Sequence, residues 1–410
     1  MPQKILFIES NTTGTGMLAL EKVKSWGLTP VFFTNDLSRY DGFQNMDCEI
    51  IICDTNNYEN LVICIKQNVN LEELCAITTT SDFYLEIAAQ IAEVFKLEGN
   101  PVSAIRNARN KWFTRNILTE SNINQPRYAV IKTEAEMVEV VKHIGLPCIL
   151  KPIEDSASSH VKLCTTLIEA EEHVRKILNI EKNVRGQTTN GIVLVEEYID
   201  AREYSVEMFT WQGQNTCIGI TQKSLTGYPY FVEYNHLFPA AISQSEHDSI
   251  QETVNRTIKA LGIQTGSTHT EVKLTEDGPK IIEVNARLAG GMIPELIKSV
   301  TGIDMLEQQL LSSMGRNNLP EKIEYNGAAG IQFIVAPEDG TLQSIENVKQ
   351  VRSMDQVKHL YISKTPGHQV NRPQSAYDRL GYVILHMSNA DEVLTSFHTI
   401  EKLLEVKIRE

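Results

Sequence analysis

Cysteine is sparse and unpatterned in this chain. There are seven in 410 residues, an odd number, with no C-x-x-C spacing and no histidine cluster beside them. That excludes a disulfide framework or a zinc site and reads as reduced core thiols. The ten histidines form no H-E-x-x-H pattern. Long apolar runs are missing too. Those present are short, such as ILFI and EIIIC, so no membrane-spanning helix is expected. The opening MPQKILFIES passes straight into a polar Asn-Thr-Thr-Gly loop, which does not fit a signal peptide. Basic charge is in deficit, with 38 Lys and Arg against 52 Asp and Glu and a formal net charge of −14. This argues against a nucleic-acid partner and leaves room only for a local basic patch serving a small phosphate ligand. No repeat or low-complexity tract is visible.

What is present suits a globular chain, with 42% hydrophobic and 22% charged residues. The length predicts two or three domains. Residues 1–105 alternate short apolar strands with helical stretches (KILFIES, MLALEKVKSWG, PVFFTN, CEIIICD, LVICIKQN, CAITTTS), as in a small doubly wound parallel sheet. At its first strand-to-helix turn, Asn11 to Gly16 is a weak nucleotide signal, because the full G-x-G-x-x-G is missing. A dehydrogenase built on Gly14 and Gly16 is a distant alternative. Thr78 to Asp82 ends another strand at the carboxyl edge, where open α/β sheets bind ligands. Thr80 and Asp82 there are either substrate contacts or a plain helix N-cap cluster. Residues 106–204 begin within a basic helix, NPVSAIRNARNKWFTRNILTESNINQP. A second α/β stretch with a mobile loop, EKNVRGQTTN, follows. Residues 205–410 carry long strands, a helix GMIPELIKSVTGIDMLEQQLLSSM and a β-rich close.

The stretch HTEVKLTEDGPKIIEVNARLAGG, His269 to Gly291, concentrates polar residues among strand formers. Residues two apart share a strand face, so Glu283, Asn285 and Arg287 line up. A three-residue loop Glu276-Asp277-Gly278 would put Glu271 opposite Glu283, with Val272, Leu274, Ile282 and Val284 on the core face, whereas a two-residue Asp-Gly turn would put the two glutamates on opposite faces. Opposed like charges destabilise a sheet, so a cation is expected between them. Two carboxylates and an amide oxygen are a minimal hard-ligand set for Mg²⁺, and Arg287 could fork onto a carboxylate or phosphate. A water-facing strand with an incidental charge pattern is the alternative.

Other polar residues recur at strand ends in a fixed order: Lys111, Lys151 ending CILKP, Glu196 to Ile199 ending VLVEEYI, Glu203, then Glu271, Glu283, Asn285 and Arg287. With NKWFTR, ILKP and EVNAR, this order resembles the ATP-grasp superfamily over roughly residues 100 to 310. The resemblance implies mixed α/β and α+β architecture. An N-terminal doubly wound parallel-sheet domain would precede a small lid domain and a larger C-terminal antiparallel-sheet domain. It further implies that Lys111 and Lys151 hold the phosphates of ATP, and that Glu196 with the backbone of Glu197, Tyr198 and Ile199 reads adenine. Glu203 would bind ribose, and Glu271, Glu283 and Asn285 would bind Mg²⁺, with Mn²⁺ as an alternative. Arg287 would steady the carboxylate or acyl phosphate, so Arg287, Lys151 and Lys111 are the catalytic candidates. One departure is the lid loop Glu154 to His160, which has no glycine. There Ser158 and Ser159 would supply hydroxyl donors to phosphate, and a non-catalytic ATP-binding protein stays open as a second reading.

Within that superfamily, FVEYNHLFPA and NARLAGGMIPELI resemble the L-amino-acid ligases, the dipeptide-forming carboxylate–amine ligases. The likeness implies that Glu233 binds a substrate α-ammonium and that His236, Gly290, Gly291 and Met292 line the amino-acid site. An arginine-preferring type is the nearest in general likeness. Its guanidinium would need a carboxylate, for which Asp82 and Asp378 are candidates. The partners implied are small amino acids, with no nucleic acid and no membrane, in a cytoplasmic homodimer. A ligase for a non-proteinogenic carboxylate or amine is the runner-up.

Overall fold

Strongly apolar strands make the first sheet. In this computed structural model, which describes residues 3–12, 15–40, 43, 48–156 and 158–409, strands β1 (Lys4–Ile8), β2 (Thr29–Thr34), β3 (Glu49–Ile52) and β4 (Leu74–Thr78) pair in parallel in the order β3-β2-β1-β4. The side chains of Ile5 to Ile8 are all buried, because helices α1 (Thr15–Ser25), α2 (Tyr58–Asn68) and α3 (Leu85–Val94) cover the sheet. Gly14 lies outside the described residues. A Cβ on Gly16 would sit 1.9 Å from the Asn11 carbonyl oxygen, so that glycine serves the close packing of the turn.

The expected single basic helix is two, α4 (Val102–Arg109) and α5 (Lys111–Glu120). Asn110 divides them with extended backbone, and its side chain caps α5 by accepting from the Phe113 N–H. A four-stranded antiparallel sheet follows, in the order β5-β8-β6-β7, from β5 (Tyr128–Ile131), β6 (Cys148–Pro152), β7 (Lys162–Cys164) and β8 (Val193–Glu197). It is backed by α6 (Met137–Ile144) and α7 (Leu167–Leu178). A capping box between Thr166 and Glu169 starts α7. The loop EKNVRGQTTN, expected to be mobile, is docked. Arg185 is buried and donates to the Tyr40 hydroxyl (3.1 Å) and the Ser10 carbonyl (2.9 Å), while Gln187 donates to the Phe83 carbonyl (2.9 Å). Polar residues that look solvated in sequence here find acceptors on the first domain.

The remaining residues build an eight-stranded sheet, β13-β12-β9-β10-β11-β14-β18-β16, and a small three-stranded one, β17-β15-β19. The strands are β9 (Arg202–Trp211), β10 (Gln214–Thr226), β11 (Val232–Phe238), β12 (Gly266–Thr275), β13 (Gly278–Asn285), β14 (Ala328–Ile334), β15 (Gly340–Ile345), β16 (Val357–Ile362), β17 (Gln369–Val370), β18 (Gly381–Met387) and β19 (Val406–Arg409). Helices α8 (Gln244–Leu261), α9 (Ile293–Thr301), α10 (Met305–Ser313), α11 (Val348–Arg352) and α12 (Ala390–Leu403) accompany them. The single helix expected from Gly291 onward is therefore two, because Gly302 takes a left-handed conformation that ends α9. No helix among the described residues is long and apolar enough to cross a membrane.

The β12–β13 hairpin differs from expectation in its turn. Thr275 pairs with Gly278 across the two residues Glu276 and Asp277, and Glu271 still faces Glu283. The register shifts between the pairs Val272–Ile281 and Glu271–Glu283, leaving Ile282 as the extra residue of a β-bulge. Ile281 therefore enters the core and Ile282, expected there, lines a cleft instead. Arg115 explains why the bulge is tolerated. It donates to the Ile281 carbonyl (3.0 Å) and the Ile282 carbonyl (2.6 Å), and the Ile281 N–H donates to the Asn124 carbonyl (3.0 Å).

Arg115 is almost fully buried and also pairs with Glu196 at 2.6 Å. Replacing it takes one of two cations from the buried Glu196 carboxylate, which keeps only Lys151, and leaves two carbonyls without that donor. Arg115→Met should therefore cost about 3 kcal/mol or more of stability, read as a lowered thermal unfolding midpoint. A midpoint equal to wild type would show that the bulge is held without it.

Candidate active site

A cleft of about 590 Å³ runs between the parallel sheet, the four-stranded antiparallel sheet and the eight-stranded sheet, floored by one face of the last and roofed by the loop after β6. Cross-strand pairing builds the floor. Lys223 on β10 and Lys273 on β12 both pair with Glu203 on the central strand β9, and Glu271 lies two residues from Lys273 on the same face. The Lys223 Nζ sits 2.8 Å from Glu233, 2.6 Å from Glu271 and 3.5 Å from Glu203. Burial disfavours its charge, but the three carboxylates outweigh that and raise its pKa well above the ordinary lysine value.

One ammonium cannot serve three carboxylates equally. Against the cost of burial, Lys223 holds Glu271 and Glu233 well below the usual range. Glu203, the most distant of the three, is raised by burial and by its acidic neighbours.

At one end of the floor, Lys151 is buried and pairs with Glu196 at 2.8 Å. Burial opposes the Glu196 charge, but Arg115 and Lys151 hold its pKa at about 2. The Glu196 side chain, expected to read adenine, is thus committed to positioning Lys151. The Glu197 carboxylate points to Arg127 (2.7 Å) and Lys280 (3.4 Å). The backbone N–H groups of Glu197 and Tyr198 already donate to the carbonyls of Arg127 and Pro147, and the Ile199 carbonyl accepts from Lys273 (2.8 Å), while the Ile199 N–H has no acceptor among the described residues. Ile149, Leu225, Phe231 and Ile282 supply apolar faces around it.

Lys111 opens α5, donates to the Asp155 carbonyl (2.9 Å) and lies 3.6 Å from Glu283. Asn285, Ser158 and Ser159 line the same cleft. The glycine-free lid adopts glycine-like backbone nonetheless, with φ of +57° at Ser158 and +58° at His160, a conformation costing roughly 1 kcal/mol per non-glycine residue. Among the described residues no three His, Cys, Asp or Glu side chains are grouped to hold a metal alone. Glu271, Glu283 and Asn285 are hard oxygen donors that suit Mg²⁺ only with further oxygens from a phosphate ligand, and Lys223 and Lys111 meanwhile balance the two carboxylates.

Arg287 is tied to the first domain. Its Nε donates to Asp82 at 2.6 Å and its Nη1 to the Leu288 carbonyl at 2.7 Å, leaving Nη2 without a hydrogen-bond partner among the described residues. Asp82 also accepts from Ser156 of the lid (2.5 Å). Burial would raise the Asp82 pKa, but Arg287 holds it far below the usual range.

Asp82 is therefore not a free carboxylate for a substrate guanidinium. Neither is Asp378, which caps its own turn through the Gln374 and Ser375 N–H groups. Thr80 does not line the cleft. Its hydroxyl bonds Ser10 (2.6 Å) and the Asn11 N–H (2.9 Å), tying β1 to β4.

Glu233, Gly290, Gly291 and Met292 do line the cleft. His236 does not, being fully buried behind Gly291 and against Phe333. A Cβ on Gly291, where φ is +57°, would lie 2.6 Å from the imidazole, so His236 fixes the glycine backbone from beneath.

The sequence reading missed Lys223, His269, Arg379 and a C-terminal wall of Phe333, Tyr361 and Tyr382. Arg379 donates to the Glu233 carboxylate (2.8 Å) and carbonyl (3.0 Å), with its guanidinium 3.6 Å above the Phe333 ring. No local pattern marks these residues. Arg115 had a signal, since it lies four residues after Lys111 on the same helical face.

Parallel N-terminal sheet, antiparallel lid and large antiparallel sheet around a lysine- and carboxylate-lined cleft make this an ATP-grasp fold. Residues 144–295 match the ATP-grasp domain family, and residues 332–409 match the L-amino acid ligase C-terminal domain 2. The chain is 28% identical over 396 residues to an uncharacterized protein of Sinorhizobium fredii, y4rH, covering 96% of this chain and 81% of that one. It is 29% identical over 264 residues to the alanine–anticapsin ligase of Bacillus subtilis, a match spanning 59% of this chain and 55% of that ligase. An L-amino acid ligase structure from Bacillus licheniformis superposes with a TM-score of 0.84 over 100% of both chains at 23% identity. The chain is thus a homologue of ATP-grasp carboxylate–amine ligases.

His269 lines the cleft beside these groups, its Nδ1 2.8 Å from Glu207 and its Nε2 3.5 Å from Glu271. Burial would lower its pKa, but Glu207 and Glu271 outweigh burial and raise it to about 9. A raised histidine stabilises the fold fully below the unfolded value of 6.5, and that contribution is lost as pH climbs through about 9. The stability advantage of wild type over His269→Gln should therefore shrink between pH 6.5 and pH 9.5, measured by thermal unfolding. A constant difference would mean that His269 is neutral in the folded protein.

Proposed function

We propose that this protein joins two L-amino acids in an ATP- and Mg²⁺-dependent reaction, through an aminoacyl phosphate and with release of ADP and phosphate. The observation that carries this reading is the meeting of Lys111, Lys151, the Glu271–Glu283 pair and Arg287 in one cleft of an ATP-grasp fold. A carboxylate is a poor electrophile until one oxygen becomes a leaving group. Passing a phosphoryl group to it requires chiefly positioning and charge neutralisation.

Lys111 and Lys151 reach the cleft as fixed cations for the phosphates, Lys151 being oriented by Glu196. Glu271, Glu283 and Asn285 would hold Mg²⁺, with Mn²⁺ an alternative of the same oxygen chemistry. The metal, when bound, would supply charge neutralisation between phosphate oxygens. Arg287, held by Asp82, presents Nη2 toward the activated carboxylate, and Glu233 faces the α-ammonium. Arginine as the carboxyl-activated substrate is part of this reading. A cytoplasmic location accords with seven free thiols, and association as a homodimer rests on the family resemblance.

Phosphate release from Mg·ATP, measured across the twenty L-amino acids with mass spectrometry of the products, tests the proposal. Amino-acid-dependent phosphate with a dipeptide mass is expected. ATP binding without release under every pairing would favour a binding protein, and AMP with pyrophosphate would overturn the acyl-phosphate route. In that assay Glu283→Ala should lower kcat on the order of a hundredfold. Arg287→Lys, which keeps the charge but loses the Nε bond to Asp82, should lower it at least about tenfold. Wild-type turnover in either variant would remove its assigned role.

A further inference from the structure

The acidic residues that line the cleft differ in one respect. Asp82 is matched by Arg287, Glu196 by Arg115 and Lys151, Glu197 by Arg127, Glu233 and Glu271 by Lys223, and Glu283 by Lys111. Glu203 sits between Lys223 and Lys273, and Asp155 meets His160. Glu295 alone among the described lining residues has a carboxylate with no hydrogen bond and no lysine, arginine or histidine nitrogen within 4.0 Å. Every other lining carboxylate has a basic nitrogen beside it, so the unmatched one marks a place for a cation from the ligand.

The surroundings specify what kind of cation. Glu295 is half-buried in the first turn of α9, next to Pro294 in the chain, three residues after Met292 and eight residues after Arg287. Its charge reaches Tyr382, whose hydroxyl pKa is raised by burial, by Tyr361 and by Glu295. Tyr361 and Tyr382 lie with ring centroids 5.6 Å apart and ring planes tilted by 38°, and both line the same cleft. A carboxylate next to exposed aromatic faces suits a guanidinium or ammonium at the end of an apolar stem, since such a group forks onto oxygen and lies over rings. The mechanism proposed above does not use Glu295.

We propose that Glu295 receives the cationic side chain of one of the two amino-acid substrates, making it a specificity-determining residue for arginine- or lysine-like substrates. The proposal rests on the ligase reading for the identity of the ligand as an amino acid, and on the unmatched carboxylate for its class. It replaces Asp82 and Asp378, which the structure commits elsewhere.

Citrulline, which has the shape of arginine without its charge, separates charge recognition from fit. Binding of arginine, lysine and citrulline to the full chain is measured calorimetrically in the presence of Mg²⁺ and a non-hydrolysable ATP analogue, with phosphate release from Mg·ATP followed in parallel. Wild type should bind arginine on the order of ten- to a hundredfold more tightly than citrulline, the worth of one charge-assisted pair. Glu295→Gln should bring that ratio to within about threefold, and Glu295→Asp should recover part of it. A wild type that binds the two equally, or a Glu295→Gln that keeps the full ratio, would overturn the proposal and leave the carboxylate as a partner of the α9 dipole only. Arginine-selective binding that depends on Glu295 without phosphate release from any amino acid would uphold the proposal and sink the ligase reading. Phosphate release with neutral amino acids and no discrimination between arginine and citrulline would do the reverse.

Discussion

The buried carboxylate of Asp82 is where three parts of this molecule meet. It sits at the carboxyl end of the N-terminal parallel sheet, accepts from Arg287 of the large antiparallel sheet at 2.6 Å, and accepts from Ser156 of the lid at 2.5 Å. Removing a carboxylate from water is costly unless a cation matches it, and a buried arginine has the same requirement. Each therefore holds the other in place. Arg287 is aimed into the cleft because the first domain supplies its counter-ion, and the lid loop lies over the cleft because one of its serines shares that counter-ion. The Arg185 loop makes a second bridge from lid to first domain, through the Ser10 carbonyl and the Tyr40 hydroxyl.

The cleft is organised by charge as much as by shape. Its floor places Glu203, Glu233 and Glu271 around Lys223, an arrangement that would be repulsive without that one ammonium. A lysine held by several carboxylates and a histidine raised to about 9 bring the positive and negative charges of the floor toward balance. The balance is built by residues from four adjacent strands, so it depends on the sheet order.

Much of the local structure is legible in the chain itself. The apolar runs of the first hundred residues, the capping residues of α7 and α8 and the alternation through His269 to Arg287 follow from periodicity and propensity. The opposition of Glu271 and Glu283 follows too, although its cause is different: a bulge at Ile282 held by Arg115 does what a three-residue turn was expected to do. A bulge of that kind has no local mark, because its stabilising donor comes from a helix 167 positions earlier. His236, Thr80, Asp82 and Asp378 illustrate the same limit. Each is of a residue type that fits a substrate site, and each is committed to a partner or buried behind one.

Which residue types lie on each strand and helix face, and the recurrence of lysines, carboxylates and an arginine in one order along the chain, are written in the chain itself. Tertiary structure alone decided which of those charges are matched. Asp82 and Arg287 are 205 positions apart, and the aromatic wall of Phe333, Tyr361 and Tyr382 lies on strands far beyond the motif that it faces. Periodicity carries information over a few residues, because it arises from the repeat of one helix or strand. The matching of charges depends on distances of a few ångströms between elements, and only the packing of three sheets around one cleft sets those.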